Sequence, residues 1–244
     1  GTSSDNYKAV VTSQYIGDKA SPLGAWAVGF ADKSLKYSAK ATHGFKAFGE
    51  PMTVTKAANN VILEMDGKPA WDAYREKLSL IPDDNARAFL VAGGLARTLD
   101  ASLAKEYGSP HILRLGIPDT ERNVIKANVA VKEGDQYYLT MRDEDLIFSE
   151  QKKALEILRE DITKKSGDGK VRPAAVLQTD CLFRGRALFD RVMKDEIMGL
   201  LYNALSDSGD IPPWLGMYGF GEYCPLGGKN IFHTYTTSLL VLYR

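Results

Sequence analysis

The chain has 244 residues, in which 31 basic residues balance 31 acidic ones. This length predicts one large domain or two small ones, and a content of 44% hydrophobic and 25% charged residues argues against a disordered or fibrous chain. The zero net charge gives no overall attraction to nucleic acid or to an anionic membrane. No apolar run approaches the roughly 20 residues of a transmembrane helix. The composition therefore predicts a cytoplasmic globular protein with no nucleic-acid partner and no membrane partner.

The first third of the chain has the apolar patterns of β-strands. The predicted strands are residues 7–15, 23–30, 35–39, 52–56 and 61–65. Asn59 and Asn60 form a candidate hairpin turn between the last two of these strands. Pro69 fits the first turn of a helix over residues 69–78, because apolar side chains recur there at i, i+3 and i+7.

Helical spacing predicts three longer helices, over residues 85–107, 148–165 and 185–205. Ser149 is the candidate N-cap of the second helix. Gly93 and Gly94 fall inside the first, where each glycine costs roughly 1 kcal/mol relative to alanine. The pair either permits close packing or breaks the helix, and both alternatives remain open.

The second half of the chain alternates strands with these helices. Its predicted strands are residues 111–115, 123–131, 136–141, 174–179, 215–220 and 232–243. Residues 133–135 are the predicted hairpin turn between the second and third of them. Strands and helices thus come in two rounds, with the strands first. This order predicts an α+β protein of two modules, with mainly antiparallel β-sheets packed together and helices on the outside.

The sequence contains three histidines, His43, His111 and His233. Histidine is the usual haem or metal ligand, but none of the three has a second ligand at a recognisable spacing. A packed or hydrogen-bonded histidine is therefore the expectation at each position, and no metal site is predicted.

The turn after the buried strand carries a thiol and two guanidinium groups. Arg184 and Arg186 could clamp a carboxylate, or they could form ordinary ion pairs with Asp180 or Asp190. Cys181 could be a reactive thiolate stabilised by these cations, or a small buried residue. The sequence leaves both alternatives open.

The glycine-rich stretch at residues 216–230 fits no nucleotide-binding motif. Its glycine spacing fails the dinucleotide fingerprint, and it lacks the Lys-Ser/Thr pair of a phosphate-binding loop. Glycine inside a strand more often marks a close approach by another backbone or by a ligand. Glu222 could receive a ligand amine or hydroxyl here, or it could stabilise a turn.

Several motifs occur in an order that resembles the C-terminal module of FIST-domain proteins. That family typically reads Cys-x-x-Arg-Gly, then Gly-x-x-x-x-Gly-Glu, then Phe-His-Asn-x-Thr, and it ends in a leucine-rich strand. Upstream, residues 43–45, 54–57 and 63–70 resemble the end of the FIST N module. The C-terminal motifs are Cys181…Arg184-Gly185-Arg186, Gly219-Phe220-Gly221-Glu222, Gly227-Gly228-Lys229-Asn230, Phe232-His233…Thr236-Thr237 and Leu239-Leu240-Val241-Leu242.

The resemblance implies two modules, a partial FIST N-like module over residues 1–82 and a FIST C-like module over residues 83–244, dividing near residues 80–84. The first half of the N-terminal module is not recognisable, which is the pattern of a fragment. Thr234 stands where the family commonly has asparagine after the histidine, and this weakens a role for that position.

The resemblance also implies a function: an intracellular module, not an enzyme, that senses a small molecule for signal transduction. The ligand would be an amino acid or a similar small metabolite, and no cofactor is expected. The partner would be a signalling output protein such as a histidine kinase, a diguanylate cyclase or a chemotaxis-type module. The candidate ligand-binding residues are Arg184, Arg186, Tyr218, Glu222, Asn230 and His233.

Three alternatives stay open. Some members of the family are haem-dependent nitric oxide sensors, and His43 or His233 would then be the proximal ligand. An enzyme could use Cys181 together with His233. A protein-interaction scaffold with no ligand of its own would be comparable with the F-box-linked members of the family.

Overall fold

The computed structural model describes residues 13–22, 24–25, 27–78, 94–184, 191–207 and 209–244. The helices of this part of the chain are α1 (Ala70–Lys77), α2 (Ala101–Tyr107), α3 (Glu144–Lys165) and α4 (Arg191–Ala204). Its strands are β1 (Gln14–Ile16), β2 (Lys19–Ser21), β3 (Lys36–Thr42), β4 (Phe45–Ala58), β5 (Val61–Met65), β6 (Lys68–Pro69), β7 (Leu95–Thr98), β8 (His111–Arg114), β9 (Gly116–Asp119), β10 (Val124–Ala127), β11 (Gln136–Arg142), β12 (Pro173–Cys181), β13 (Trp214–Gly219), β14 (Glu222–Leu226), β15 (Lys229–His233) and β16 (Thr237–Tyr243).

The chain divides into two compact units, and the first, the eight-strand unit, holds the described residues within Thr42–Gln151 and His233–Tyr235. Its sheet has the order β8-β7-β11-β4-β5-β10-β9, with β6 paired to β5, and its pairings are antiparallel. Helix α1 lies against β5 and β10 and buries Trp71 and Tyr74 in the core of this sheet. The apolar face at i, i+3 that the sequence predicts for this helix is therefore confirmed.

The second unit, the four-strand unit, holds the described residues within Gly1–Ala41, Lys152–Phe232 and Thr236–Arg244. Its main sheet has the order β13-β12-β16-β3. Strand β12 runs antiparallel to β16 but parallel to β13, and α4 lies between β12 and β13 in the sequence. Because the two strands are parallel, their carboxyl ends lie at the same edge of the sheet. With one parallel pair among antiparallel ones, the fold confirms the predicted α+β class.

Two predictions that depend on residues close together in the sequence, one hairpin and one amphipathic helix, are confirmed. Strands β4 and β5 form the predicted hairpin, and Asn59 takes the left-handed φ of 55° that its turn requires. Helix α3 is confirmed as well, but it begins earlier than predicted because the Asp143 side chain accepts a hydrogen bond from the Leu146 amide at 2.9 Å. The prediction of Ser149 as N-cap is wrong, since its hydroxyl donates to the Leu146 carbonyl inside the helix.

The predicted helix over residues 85–107 is confirmed at residues 101–107 and wrong at residues 95–98. Residues 95–98 form β7, which pairs with β8 and β11, and α2 begins only after the Asp100 cap, whose side chain accepts from the Leu103 amide. Gly94 comes immediately before β7, where other residues pack close to its backbone. A Cβ at this position would lie 2.6 Å from Cε2 of Tyr235 and 2.7 Å from the Arg114 carbonyl oxygen. The helical spacing was thus overridden by sheet pairing and by an internal cap.

Three strand predictions also fail. The turn around Gly134 exists, with φ at 88°, but β10 pairs with β5 and β9 while β11 pairs with β4 and β7, so the two strands form no hairpin. The final strand divides into β15 and β16, because Tyr235 adopts a φ of 57° between them. The described residues of 23–30 form no strand.

Some predictions fall wholly or partly outside the described residues. Residues 7–12 of the first strand and residues 185–190 of the last helix lie there, and so does the module division near residues 80–84, which stays a prediction. Within the described ranges, no helix is long and apolar enough to cross a membrane.

Replacing Gly44 by alanine is expected to lower the free energy of unfolding by roughly 2–5 kcal/mol. Gly44 lies between β3 and β4 with φ at 78°, and a Cβ there would overlap the backbone of Ile147 in α3. Gly134→Ala is the matched control, because Gly134 has a φ of 88° but open space around its Cα. Denaturant unfolding of both variants measures the difference; equal losses would contradict the contact with α3.

Candidate functional site

The carboxyl ends of β12 and β13 bring the arginine-bearing turn beside the glycine-rich segment. In the parallel register Cys181 lies opposite Gly219, and the Leu182 amide donates to the Gly219 carbonyl at 2.9 Å. Just beyond the strands, the rings of Phe183 and Phe220 meet edge to face with centroids 5.5 Å apart. The two segments that carry the family's motifs therefore contact each other. In open sheets, ligands commonly bind outside the carboxyl ends of parallel strands.

Arg184 is fully buried in this region. One terminal nitrogen, Nη1, lies 3.4 Å from Oδ1 of Asp180, whose side chain is 14% exposed. Of the two alternatives that the sequence left open for Arg184, the structure contains the ion pair with Asp180. Burial raises the pKa of Asp180 above its ordinary value, although the Arg184 guanidinium and the Thr237 hydroxyl act in the opposite direction.

Glu222, the first residue of β14, is fully buried as well. Its Oε2 accepts hydrogen bonds from the Thr236 hydroxyl at 2.8 Å and from the Thr236 amide at 3.4 Å. Among the described residues, its Oε1 is buried without a hydrogen-bond partner. Burial raises the pKa of Glu222 well above its usual range, and the negative charge of Asp180 raises it further.

The chain geometry explains why Glu222 is held here. Gly221 comes immediately before it, and a Cβ at this position would overlap the ring of Phe232 in β15. Only glycine lets the backbone pass this close to the ring and enter β14. The Phe232 ring is held in place by packing against the Tyr223 ring of β14, with the two ring centroids 5.0 Å apart. The glycine before the glutamate is thus a steric requirement of the β14–β15 hairpin.

The remaining sequence-predicted residues are distributed differently. Tyr218 is half-buried in β13 and stands opposite Asp180 in the strand register. Asn230 is exposed in β15, whereas His233 is buried and is grouped with the eight-strand unit. Arg186 lies outside the described residues. The structure therefore places Arg184 and Glu222 at one edge of the sheet with Tyr218 in the adjoining strand, and the roles of Asn230 and His233 at the site stay predictions.

Sequence reasoning missed the threonines of the cluster. Thr236 supplies both hydrogen bonds to Glu222, and its carbonyl accepts from the Cys181 amide at 2.8 Å. Thr237 stands opposite Asp180 in the antiparallel register of β16. The Thr-Thr pair inside the Phe-His motif was the available signal. It indicated strand propensity as readily as a site, so it could not be separated from ordinary β-structure.

The histidine geometry does not fit the haem alternative at His43. The Phe45 amide donates to Nδ1 of His43 at 2.9 Å, so that nitrogen is the acceptor, and Nε2 lies 3.1 Å from the His111 carbonyl oxygen as the donor. Neither nitrogen retains a lone pair for iron. His233 stacks on Tyr107 with centroids 5.4 Å apart. Across the described ranges, no group of three His, Cys, Asp or Glu side chains could hold a metal ion.

Cys181 is 1% exposed, and so is the second cysteine, Cys224. A thiol enclosed in this way is disfavoured as a thiolate, because burial disfavours the charged form. The observation favours the sequence alternative in which Cys181 is a small buried residue.

Replacing Arg184 by methionine is expected to cost about 3–5 kcal/mol of unfolding free energy, because Asp180 would remain buried without its counter-charge. The double variant Asp180→Asn, Arg184→Met should recover a large part of this loss. Arg172→Met is the control: its pair with Asp168 has the same i, i+4 spacing but is exposed, so less than about 0.5 kcal/mol is expected there. Urea unfolding of the variants measures these values, and a similar loss for Arg172→Met and Arg184→Met would refute the role of burial.

Comparisons with known proteins agree with the motif order. Residues 1–68 match the FIST N domain, and residues 70–225 match the FIST C domain. The uncharacterized protein Mb0898c of Mycobacterium bovis is 27% identical over 208 residues, which are 81% of this chain and 48% of that protein. The uncharacterized protein Rv0628c of Mycobacterium tuberculosis is 27% identical over 203 residues, 81% of this chain and 49% of that protein.

The chain thus spans about half the length of the curated relatives it matches. No solved structure matches it significantly. FIST domains are generally regarded as sensory domains for small ligands in signalling proteins. Since the two domain matches together cover most of the sequence, the chain belongs to the FIST family.

Proposed function

We propose that the chain is an intracellular small-molecule sensor for signal transduction, and that its ligand binds where β12 and β13 end. The observation that carries this proposal is the state of Glu222. Its carboxyl group is wholly buried, and Oε1 has no hydrogen-bond partner among the described residues. Unsatisfied buried polar groups are uncommon in folded proteins because each costs free energy, and at a ligand site the occupant satisfies them.

The charges of the cluster support an amino acid or a similar small metabolite as the ligand. Such a molecule carries both a carboxylate and an ammonium group. The cluster offers a guanidinium at Arg184 and carboxyl groups at Asp180 and Glu222. Arg186, two residues after Arg184 in the sequence, stays a predicted contact with the ligand carboxylate. Tyr218 in the adjoining strand would be a polar contact.

Burial of the cluster supports a sensing role rather than catalysis. Arg184 and Glu222 are both fully enclosed, so a ligand reaches them only when covering chain segments move. A ligand that binds only the opened form shifts the balance between two conformations, and this shift is what an output protein can detect. The output partner would be a histidine kinase, a diguanylate cyclase or a chemotaxis-type module. No catalytic residue is assigned.

A screen of the twenty common L-amino acids by thermal unfolding tests this proposal. At least one is expected to raise the melting temperature, since a ligand at about 100 times its Kd adds roughly 2.7 kcal/mol. Glu222→Gln should weaken that response. Glu196→Gln, the same change at an exposed position in α4, should leave it intact.

Two outcomes oppose the proposal. If none of the amino acids stabilises the wild-type chain, the scaffold alternative gains support. If an amino acid stabilises the wild-type chain and the Glu222→Gln variant equally, the chain binds its ligand elsewhere.

A further inference from the structure

We propose that the group recognised at Glu222 is a protonated amine, which binds at Oε1 in exchange for the proton that Glu222 carries there when no ligand is bound. This inference rests on the proposed function, since it places the ligand at the same cluster. It adds which chemical group of the ligand the site recognises, and it adds that a proton leaves Glu222 when the ligand binds.

The charge balance of the cluster is the first argument. Asp180 and Glu222 supply two carboxyl groups, and among the described residues the cation placed beside Asp180 is Arg184. Arg184 lies 3.4 Å from Asp180 and balances that carboxylate. An ionised Glu222 would then be a buried negative charge without a partner, which is strongly unfavourable. The empty site must therefore keep Glu222 neutral, and the raised pKa of Glu222 agrees with this.

Hydrogen-bond geometry identifies the oxygen that exchanges its partner. Oε2 of Glu222 already accepts from the hydroxyl and from the amide of Thr236. An oxygen that accepts two donors is the poorer place for a proton, so the proton of the neutral acid belongs on Oε1. Oε1 is also the oxygen without a partner in the described part of the chain. An incoming N–H donor can replace the proton there without disturbing the bonds to Thr236.

Among the common ligand groups, an ammonium satisfies both requirements. It brings N–H donors and the missing positive charge together. A hydroxyl would supply a donor but no charge, and a carboxylate has no donor that could replace the proton on Oε1.

The exchange is balanced in atoms and charge. The neutral Glu222 carboxylic acid and the ligand ammonium give a carboxylate–ammonium pair, and one proton passes to the solvent. No covalent bond forms to the ligand, and nothing is oxidised. While the pH is below the pKa of Glu222, proton competition should make the affinity for the amine rise about tenfold per pH unit.

Within the described residues, two charged side chains lie in the same cluster as Glu222. Asp180 faces Glu222 from β12, and Arg184 comes from the turn that follows. The described contact from the start of β16 is the neutral side chain of Thr236. Arg184 holds Asp180 in the ion pair. Because burial also raises the pKa of Asp180, the Glu222→Gln variant decides which of the two carboxyl groups carries the pH dependence.

The test uses methylammonium chloride as the probe, with the intact chain and with tetramethylammonium chloride as the control cation. Methylammonium at about 0.1 M is expected to raise the melting temperature of the wild-type chain, and to do so more at pH 8 than at pH 6. Tetramethylammonium has no N–H donor and should have no effect. Glu222→Gln should abolish the response to methylammonium, whereas Glu196→Gln should retain it.

The stability of the chain without a ligand gives a second readout. The folded pKa of Glu222 is raised, so its contribution is fully present below the unfolded value of about 4.3 and is lost as the pH rises through the folded pKa. The wild-type chain should therefore lose stability relative to Glu222→Gln as the pH rises, and methylammonium should restore it. If that variant does not fold, the pH dependence of the wild-type response decides alone.

The outcomes separate this inference from the proposed function. An equal response to both cations, a response retained in Glu222→Gln, or no response at any pH overturns the amine inference, even if an amino acid binds in the screen. A response to methylammonium that depends on Glu222, together with a negative amino-acid screen, supports the amine site and rejects the amino acid as ligand.

Discussion

The parallel pairing of β12 with β13 is the constraint on which the candidate site depends. Strand β12 pairs antiparallel with β16 but parallel with β13, and the parallel pair sends two chain segments away from the same edge, one carrying Arg184 and the other carrying Glu222. An antiparallel pair joined by a tight turn would have placed these segments at opposite ends. Helix α4 provides the long connection that parallel strands require. The chemistry at the edge is therefore a consequence of topology.

Local signals in the sequence were sufficient for elements that local interactions determine. The asparagine turn between β4 and β5 and the amphipathic pattern of α3 both correspond to the structure. Pairing partners were not accessible in the same way, because they depend on contacts far apart in the chain. Strands β10 and β11 are adjacent in sequence and joined by a genuine turn at Gly134, yet β5 and β4 lie between them in the sheet. The helical spacing around β7 failed for the same reason.

The sequence identifies candidate side chains for the site, but it does not show which of them lie close together. The motifs indicated Arg184 and Glu222, and the structure places their segments in contact. Asn230 and His233 belong to equally prominent motifs, but Asn230 is exposed in β15 and His233 is buried in the eight-strand unit, so their roles at the site stay predictions. The sequence suggests Asp180 only as an ion-pair partner for an arginine of the turn. Its effect on Glu222 through space becomes evident only when β12 and β14 are both positioned.

Exchange of a proton for an amine constrains how the site can signal. Under the proposed exchange, the cluster without a ligand would contain a neutral Glu222 and the Asp180–Arg184 pair, and the occupied cluster would contain two ion pairs, so its net charge would be zero in both states. A charge-driven rearrangement is therefore not available to the output. What differs between the states is volume, because an ammonium and its substituent are far larger than a proton. Protein interiors are close-packed and yield little to added volume, so the occupant must displace the segments that enclose Arg184 and Glu222. In such a sensor, ligand binding would move the chain segments that cover the site, and the output protein would detect that movement. Burial of the site would be the feature that couples ligand binding to the movement.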